Sequence, residues 1–539
     1  AAADALRIIQ LTAGMEGADG QAFAEGYRFK ITNGAVSTDY VKDIEQVQVQ
    51  IWNDKNGDGN RDARPSSDPA NELTWVRSET LTVNTAPSFA GAPAGVSVID
   101  AGFDLSPVGF VVLPSGKAVT LALVDSVDIG SNYVAALLRT NADGSPDTSF
   151  GTGGRVMLPT FFGNISAPVL QGDKILVPFS TSLGASSNLK IVRYLADGRV
   201  DTSFGVNGEA VVSLGERQES PRDILVQADG KIVLAGAITM SATDTDFGLV
   251  RLNADGSLDT GFNGSGKLIL PFGAGIDLPT SVLAQPDGKL LVAGTAPGES
   301  GVDLALVRVN RDGSLDTGFG SGGKVVLPVG PGLDALGAAT LLADGKILLT
   351  GSSRTKADAA SDYDMSLVRL NANGTLDTSF GNGGKTLAHL SGADDRAFYN
   401  VVLDDGKIIV AGWSKGHGSL GGDMTLARFK PDGTLDASFG ASGVAAMPLR
   451  GIGDSIYGIE LVGGKLVVLG TSYFNLQGDA SMVLARFNLD GSLDTGFHTG
   501  RVDSLGGTVR SDGVRPVALD TNAAIYDAEM SARNDYGGG

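Results

Sequence analysis

A nine-residue stretch near the front of the chain carries oxygen at every second position. Asp54-Lys-Asn56-Gly-Asp58-Gly-Asn60-Arg-Asp62 sets oxygen-bearing side chains at loop positions 1, 3, 5, 7 and 9, with glycine at 6. Hard divalent cations are held by oxygens spaced in this way, so Asp54, Asn56, Asp58, Asn60 and Asp62 are the expected ligands of a Ca2+ ion. Position 12 is Pro65 rather than a bidentate glutamate, and Asp68 or Glu72 would have to complete the shell. Such an ion would be structural, stiffening a loop. The plainer alternative is an Asp/Asn/Gly turn between strands.

Two further sets of side chains could do chemistry. Asn188, Asp246, Asp303, Asp364 and Asp423 each stand five residues before a recurring arginine, and Asp277, Asp334, Asp394, Asp395 and Asp454 add further acids. Gathered on one face, these would make a ring of carboxylates able to hold a cation or meet a basic ligand. The competing reading has them bonding nearby backbone N–H groups. Arg396, Tyr399, Trp413, Lys415, His417, Tyr473 and Phe474 form the other set, found only towards the C-terminal end. Aromatic and basic side chains in loops suit sugar or peptide contacts, although they can equally cap a core.

These residues hang on a line written seven times. Arg139, Arg193, Arg251, Arg308, Arg369, Arg428 and Arg486 are spaced by 54, 58, 57, 61, 59 and 58 residues. Eight residues after each comes an aspartate (Asp147 to Asp494), and three further on a phenylalanine (Phe150 to Phe497). A fixed period of this size marks a repeat architecture. Lys117, Lys174, Lys231, Lys289, Lys346, Lys407 and Lys465 each open an apolar run in phase with it. Short β-branched runs bounded by Asp-Gly or Gly-Gly read as strands entered through tight turns.

Each unit parses into strands a to d. In the fourth these lie near Ser281–Gln285, Lys289–Ala293, Leu304–Val309 and Lys324–Leu327. Seven units of four antiparallel strands predict an all-β chain built round a seven-bladed β-propeller. A stacked solenoid is the weaker alternative. The Arg–Asp pair and the phenylalanine read as scaffold: a bidentate ion pair inside each blade and a filler between sheets.

Composition narrows the function. Of 539 residues 77 are glycine, which suits a turn-rich protein, and the absence of cysteine removes disulfides and thiolate chemistry. A net charge of −20 argues against nucleic acid and anionic membrane as partners. No run of 18 apolar residues exists, so membrane insertion is not expected. Gly318-Phe-Gly320-Ser-Gly-Gly323 fits a dinucleotide fingerprint but precedes a strand, and no G-x-S-x-G elbow occurs. His389, His417 and His498 show no metal-ligand spacing.

Four regions follow. Residues 1–85 alternate apolar and polar in four stretches, as in a β-sandwich-like module. Residues 86–104, rich in Ala, Pro and Gly, read as a linker; 105–505 form the propeller, and 506–539 lead into a further module. Because strands alternate in direction, the a–b and c–d turns share one face of the disc, while the b–c loops and d–a connectors share the other. The first face is stereotyped. The second varies in length and chemistry, and is the expected ligand face.

The Gly-Lys-Ile-Val-Leu-Ala-Gly line followed by Val-Arg-Leu-Asn-Ala-Asp-Gly-Ser-Leu-Asp-Thr-Gly-Phe resembles the bacterial delta-60 repeat, a builder of propellers of undefined function. Gly172-Asp-Lys174 and Phe497-His498 depart from its pattern, which leaves the closing of the ring unexplained. The flanks, Ala5-Leu-Arg-Ile-Ile-Gln-Leu-Thr, Val83-Asn-Thr-Ala-Pro-Ser-Phe and Ala523-Ala-Ile-Tyr-Asp-Ala-Glu-Met, are similar to cadherin-like modules of large bacterial surface adhesins. That likeness implies a slice of a longer secreted protein displayed on a bacterial cell surface.

The reading favoured is a non-catalytic extracellular binding or adhesion module. It would present the b–c and d–a loops, with Asp246, Asp303, Asp364, Asp423 and the aromatic–basic set, to a glycan or protein ligand. One alternative is a hydrolase or lyase at the channel mouth, using acidic residues and a cation. Another is a structural spacer or fibre subunit that self-assembles through terminal strands.

Overall fold

The computed structural model describes residues 105–124, 134–158, 163–181, 186–215, 217–356, 362–391, 393–415, 422–447, 453–473 and 480–497. It also describes the strands Ile8–Gln10, Tyr27–Asn33, Val47–Asn53, Ser78–Leu81, Val96–Asp100 and Arg501–Asp503, and Gly95. Two units are present, one of residues 1–90 with 506–539, the other of 91–505. In the first, four strands pair antiparallel in chain order, so among the described residues the expected sandwich is a single sheet. The Asp54–Asp62 loop and the 506–539 segment lie outside the described residues.

The second unit is a seven-bladed β-propeller. In blade four, strands Leu278–Ala284, Leu290–Gly298, Gly301–Val309 and Lys324–Leu327 pair antiparallel in order, as the turn spacing predicted. Strand a is innermost and strand d outermost. Strands b and c, covered on both faces by neighbouring blades, are near-continuous apolar runs: in blade four Leu290 to Ala293 and Leu304 to Val307 are all buried. Apolar clusters fill the seams, such as Val233, Phe247, Phe262, Leu290, Val292 and Val307 between blades three and four. Strand a carries a β-bulge in blade one and in blades three to seven, for instance between Pro221 and Asp223 and between Ala397 and Tyr399. Bulges bend and twist a strand where it must fit round a crowded axis.

Ring closure corrects the expected linker. Within residues 86–104, Val96–Asp100 forms a strand that pairs antiparallel with Ala480–Phe487 as strand d of blade seven. Arg501–Asp503 then adds in parallel outside it. The reason is visible in the backbone. In six blades the N–H of the repeated arginine donates to a glycine that opens strand d: Gly154, Gly208, Gly266, Gly323, Gly384 and Gly443. Arg486 N–H instead donates to Gly95 O at 3.0 Å. Gly95, at φ 100°, therefore does for blade seven what the chain after Phe497 does not.

The repeated residues are the scaffold, but not as a bidentate pair within a blade. Each arginine gives Nε to its aspartate Oδ2, at 2.6 to 2.9 Å. Its Nη1 crosses to a carbonyl in the c–d turn of the next blade: Ala196, Ala254, Arg311, Ala372, Pro431 and Leu489. The last, Arg486, reaches Ala142 of blade one at 2.8 Å and completes the circle. Its guanidinium carbon stands 4.4 to 5.0 Å from the ring of the repeated phenylalanine in every blade. The Asp-Gly glycine of the next blade also lies against that ring, as Gly313 does on Phe262 and Gly144 on Phe497. Lysines such as Lys174 and Lys231 share the aspartate oxygen at 2.6 Å. For Asp201 the Lys174 hydrogen bond, then that from Ser203, outweighs burial and holds the carboxyl well below the usual range.

Candidate ligand-binding rim and channel

The b–c loops differ sharply between blades. In blade three strands b and c meet in a tight turn after Ser241, and in blade four after Gly298. Blade five spaces them from Arg354 to Tyr363, and blade six from Ser414 to Asp423. Long, dissimilar loops on this rim are what the sequence led us to expect.

Three of the singled-out side chains come together at the seam of blades five and six. Arg396 of strand a lies opposite Trp413 of strand b, and Lys415 follows at the strand end. Arg396 Cζ is 5.7 Å from the Trp413 ring and 4.1 Å from the ring of Tyr363, which opens strand c of blade five. Arg354 Cζ stands 4.9 Å from the same Tyr363 ring, and Lys415 Nζ 5.7 Å from Trp413. Cations and aromatic faces thus alternate across the seam, each contact worth about 0.5–1 kcal/mol where solvent reaches it. Asp394 pins the cluster: its Oδ1 accepts the Tyr363 N–H at 2.9 Å, and its O accepts the Lys415 N–H at 2.9 Å. Against its burial, Tyr363 N–H, Arg396 and Lys415 hold Asp394 below the ordinary carboxylate range. Arg396 Nε has no hydrogen-bond partner.

Other expected site residues are placed differently. Tyr399 is not a loop residue: it sits past the bulge in the innermost strand of blade six, where burial pushes its hydroxyl up to about 12. His417 and Phe474 lie outside the described residues, as does the side chain of Tyr473.

Asp246, Asp303, Asp364 and Asp423 do not form an open ring of carboxylates. All four are buried, between 0% and 5% exposed. The start of strand c in one blade runs beside the start of strand a in the next, so acids meet in pairs across seams: Asp246 with Asp277, Asp303 with Asp334, Asp364 with Asp395, Asp423 with Asp454. Both Asp454 oxygens are buried without a partner, but Asp277, Asp334 and Asp395 tie down their d–a connectors, accepting the N–H of Phe272, Val329 and Leu390 at 2.7 to 2.8 Å. That is the backbone-bonding alternative the sequence left open.

Sequence reasoning missed two features. His389 Nδ1 lies 2.7 Å from Asp364 Oδ1, and its ligand atom and those of Asp364 and Asp395 all fall within 4.8 Å of one another. Asp395, however, already accepts from Leu390 and Ser391 N–H and from the Ser391 and Ser414 hydroxyls, so an ion pair fits this trio better than a metal. The Asp364 hydrogen bond raises the His389 pKa. The second feature is the channel. Asp223 and Glu460 lie on innermost strands of blades three and seven, and burial pushes each up to about 7. Asp223 accepts the N–H of Val282 at 2.7 Å and of Ile224 at 2.9 Å.

A family described as "Domain of unknown function (DUF5122) beta-propeller" matches residues 121–150, 174–204, 227–262, 285–319, 342–380, 403–439 and 464–497. One of these matches falls in each of the seven blades. Each match ends on the repeated phenylalanine and takes in strand b, the b–c loop and strand c before it. No curated protein matches the chain. Among solved structures, the polysaccharide lyase Uly1 is similar at 12% identity and TM-score 0.41, covering 71% of this chain and 90% of its own. An ulvan lyase bound to -[GlcA(1-4)Rha3S]- is similar at 11% and 0.41, with 71% and 94% covered. Chaetomium thermophilum Sqt1, bound to the N-terminus of ribosomal protein L10, is similar at 12% and 0.36, with 86% and 93% covered. At these values the likenesses say nothing of what this chain binds.

Proposed function

We propose that the propeller is a non-catalytic binding or adhesion module of a secreted, surface-displayed protein, with its ligand held on the b–c and d–a rim. The observation that carries this is the stack of Arg354, Tyr363, Arg396, Trp413 and Lys415. Aromatic faces take the C–H side of a sugar ring, and a guanidinium beside them takes a carboxylate or sulfate. On a chain of net charge −20 such a cationic cluster stands out, and it favours an acidic glycan over a neutral one. Terminal strands and a calcium-stiffened Asp54–Asp62 loop would serve display and assembly.

A glycan array probed with the full chain tests this, beside Trp413→Ala and Arg396→Gln. Binding of uronate-bearing or sulfated glycans, lost in both variants while the circular dichroism spectrum is kept, is the expected result. Wild-type silence across the array, or binding indifferent to both substitutions, would refute it.

A second reading rests on the channel. Burial raises Asp223 and Glu460, on innermost strands of separate blades, and either carboxyl would suit the proton donor of a hydrolase or lyase. Turnover of a bound glycan, abolished by Asp223→Asn or Glu460→Gln, would move the assignment to an enzyme.

A further inference from the structure

One ladder of the propeller departs from the pattern of the rest. Among the described strands the blades pair antiparallel throughout, except that Arg501–Asp503 lies parallel to Val96–Asp100. Arg501 stands beside Val98, Val502 beside Ile99 and Asp503 beside Asp100. Closure does not call for this strand, since Val96–Asp100 already supplies strand d of blade seven against Ala480–Phe487. What the extra strand changes is the end at which the chain leaves. Val96 pairs with Ala485, and the Arg486 N–H reaches Gly95 O at 3.0 Å. A Cβ on Gly95 would stand 3.0 Å from Asp494 O, which also accepts the Phe497 N–H at 2.9 Å. Entry at Gly95 and the last repeated residue, Phe497, therefore lie at one end of these strands.

A chain leaving at Phe497 would come apart under tension from that end. The Arg486–Gly95 bond would break first, and the pairs from Val96 to Ile99 would follow one after another. With Arg501–Asp503 in place, the chain instead leaves beside Asp100, about 13 Å further along the strand at ~3.3 Å per residue. Tension between the segment before Gly95 and the one after Asp503 then pulls two parallel neighbours in opposite directions along their shared axis. The evenly spaced bonds of a parallel ladder take that load together and must fail together.

We propose that this parallel pair is a tension clamp, which makes the propeller a load-bearing link in its chain. Because the two strands that meet the load are bonded to each other, the pull passes from one to the other without crossing the seven blades. The rim is kept out of the load path, whatever it holds. The inner strand is itself fixed in the ring: Val96 and Ile99 are buried, and the Ser97 hydroxyl donates to Gly144 O of blade one at 3.0 Å. The clamp owes its strength to the direction of pairing rather than to buried area, so it acts on the rate of forced opening more than on equilibrium stability.

The chain has no cysteine, so two introduced thiols give unique handles for single-molecule force spectroscopy of the full chain. Ala94→Cys with Ser504→Cys pulls across the clamp, and Ala94→Cys with Thr499→Cys pulls the same strands from one end. The first pair should open at a force peak that the second lacks. Adding Val502→Pro/Asp503→Pro to the first pair removes a ladder donor in either register. It should abolish the peak and leave the thermal midpoint near that of the parent, because the ring still closes on Val96–Asp100. Equal opening forces in the two geometries would overturn the proposal, and so would a peak that survives both prolines. The comparison of geometries changes no residue of either strand, so a failure of the proline variant to fold leaves the test intact.

Discussion

Truncating the repeated phenylalanine at two places in the ring measures whether the circle is mechanically closed. Phe262 is fully buried, Arg251 Cζ stands 4.4 Å from its ring, and a Cβ on Gly313 would meet it at 3.1 Å. Phe262→Ala removes a buried aromatic side chain, at about 3–5 kcal/mol. It also removes the guanidinium contact, at about 0.5–2 kcal/mol. Some relaxation of the seam offsets part of that, so a loss of about 4–5 kcal/mol is expected. Phe497 occupies the corresponding place between blades seven and one: it is 3% exposed, with Arg486 at 4.7 Å, and a Cβ on Gly144 would meet it at 2.6 Å. In a closed ring Phe497→Ala costs the same within about 1 kcal/mol, because that seam is as well packed as any other. In an open stack the terminal ring would be half solvated and its removal would cost far less. Equilibrium urea unfolding, followed by circular dichroism and tryptophan fluorescence, decides between them. A Phe497→Ala loss below half of the Phe262→Ala loss would refute closure.

The closing strand gives a second test. Ile99 is 2% exposed in the blade seven–blade one cluster, so Ile99→Asp buries an unpaired charge and should leave little folded protein at 37 °C, read by soluble yield and thermal melting. The pH dependence of stability is a third. Burial raises Asp223, Asp454 and Glu460 to about 7 and Asp277 to about 6, above an unfolded carboxylate near 4. Their contribution is full below about pH 4 and is lost as pH rises through 6 to 7, because the folded state there binds more protons than the unfolded one. The lowered aspartates, Asp201 and Asp377 among them, act oppositely and weaken the fold only as pH falls below the ordinary carboxylate range. Calcium-free thermal melts from pH 4.5 to 8 should therefore decline towards the alkaline end. A rise across that span would contradict the assignment.

The period made the blades legible, since Arg, Asp and Phe at fixed offsets name the c–d segment, and Lys names strand b. Closure was hidden because Val96–Asp100 pairs with a strand that begins at Ala480. A trace was nevertheless present in a glycine, Gly95, followed by the alternation Val-Ser-Val-Ile. Arg396, Trp413 and Lys415 could be singled out because no other repeat carries them. Tyr363 could not: its place beside Arg396 depends on two blades meeting at a seam. The aspartates before each arginine misled for the same reason. Spacing within a blade gives their face, and only the neighbour's backbone decides whether that face meets water or another acid.

Each guanidinium that hooks the following turn makes one repeat's stability the property of two. A duplicated or deleted unit would leave every hook engaged except where the circumference no longer meets, so copy number can change in evolution only together with the angle between sheets. A substitution in the hooking segment is felt in the next blade, whereas a change on the opposite rim stays local. Seven near-identical sentences with seven different loops are the record that this asymmetry would leave.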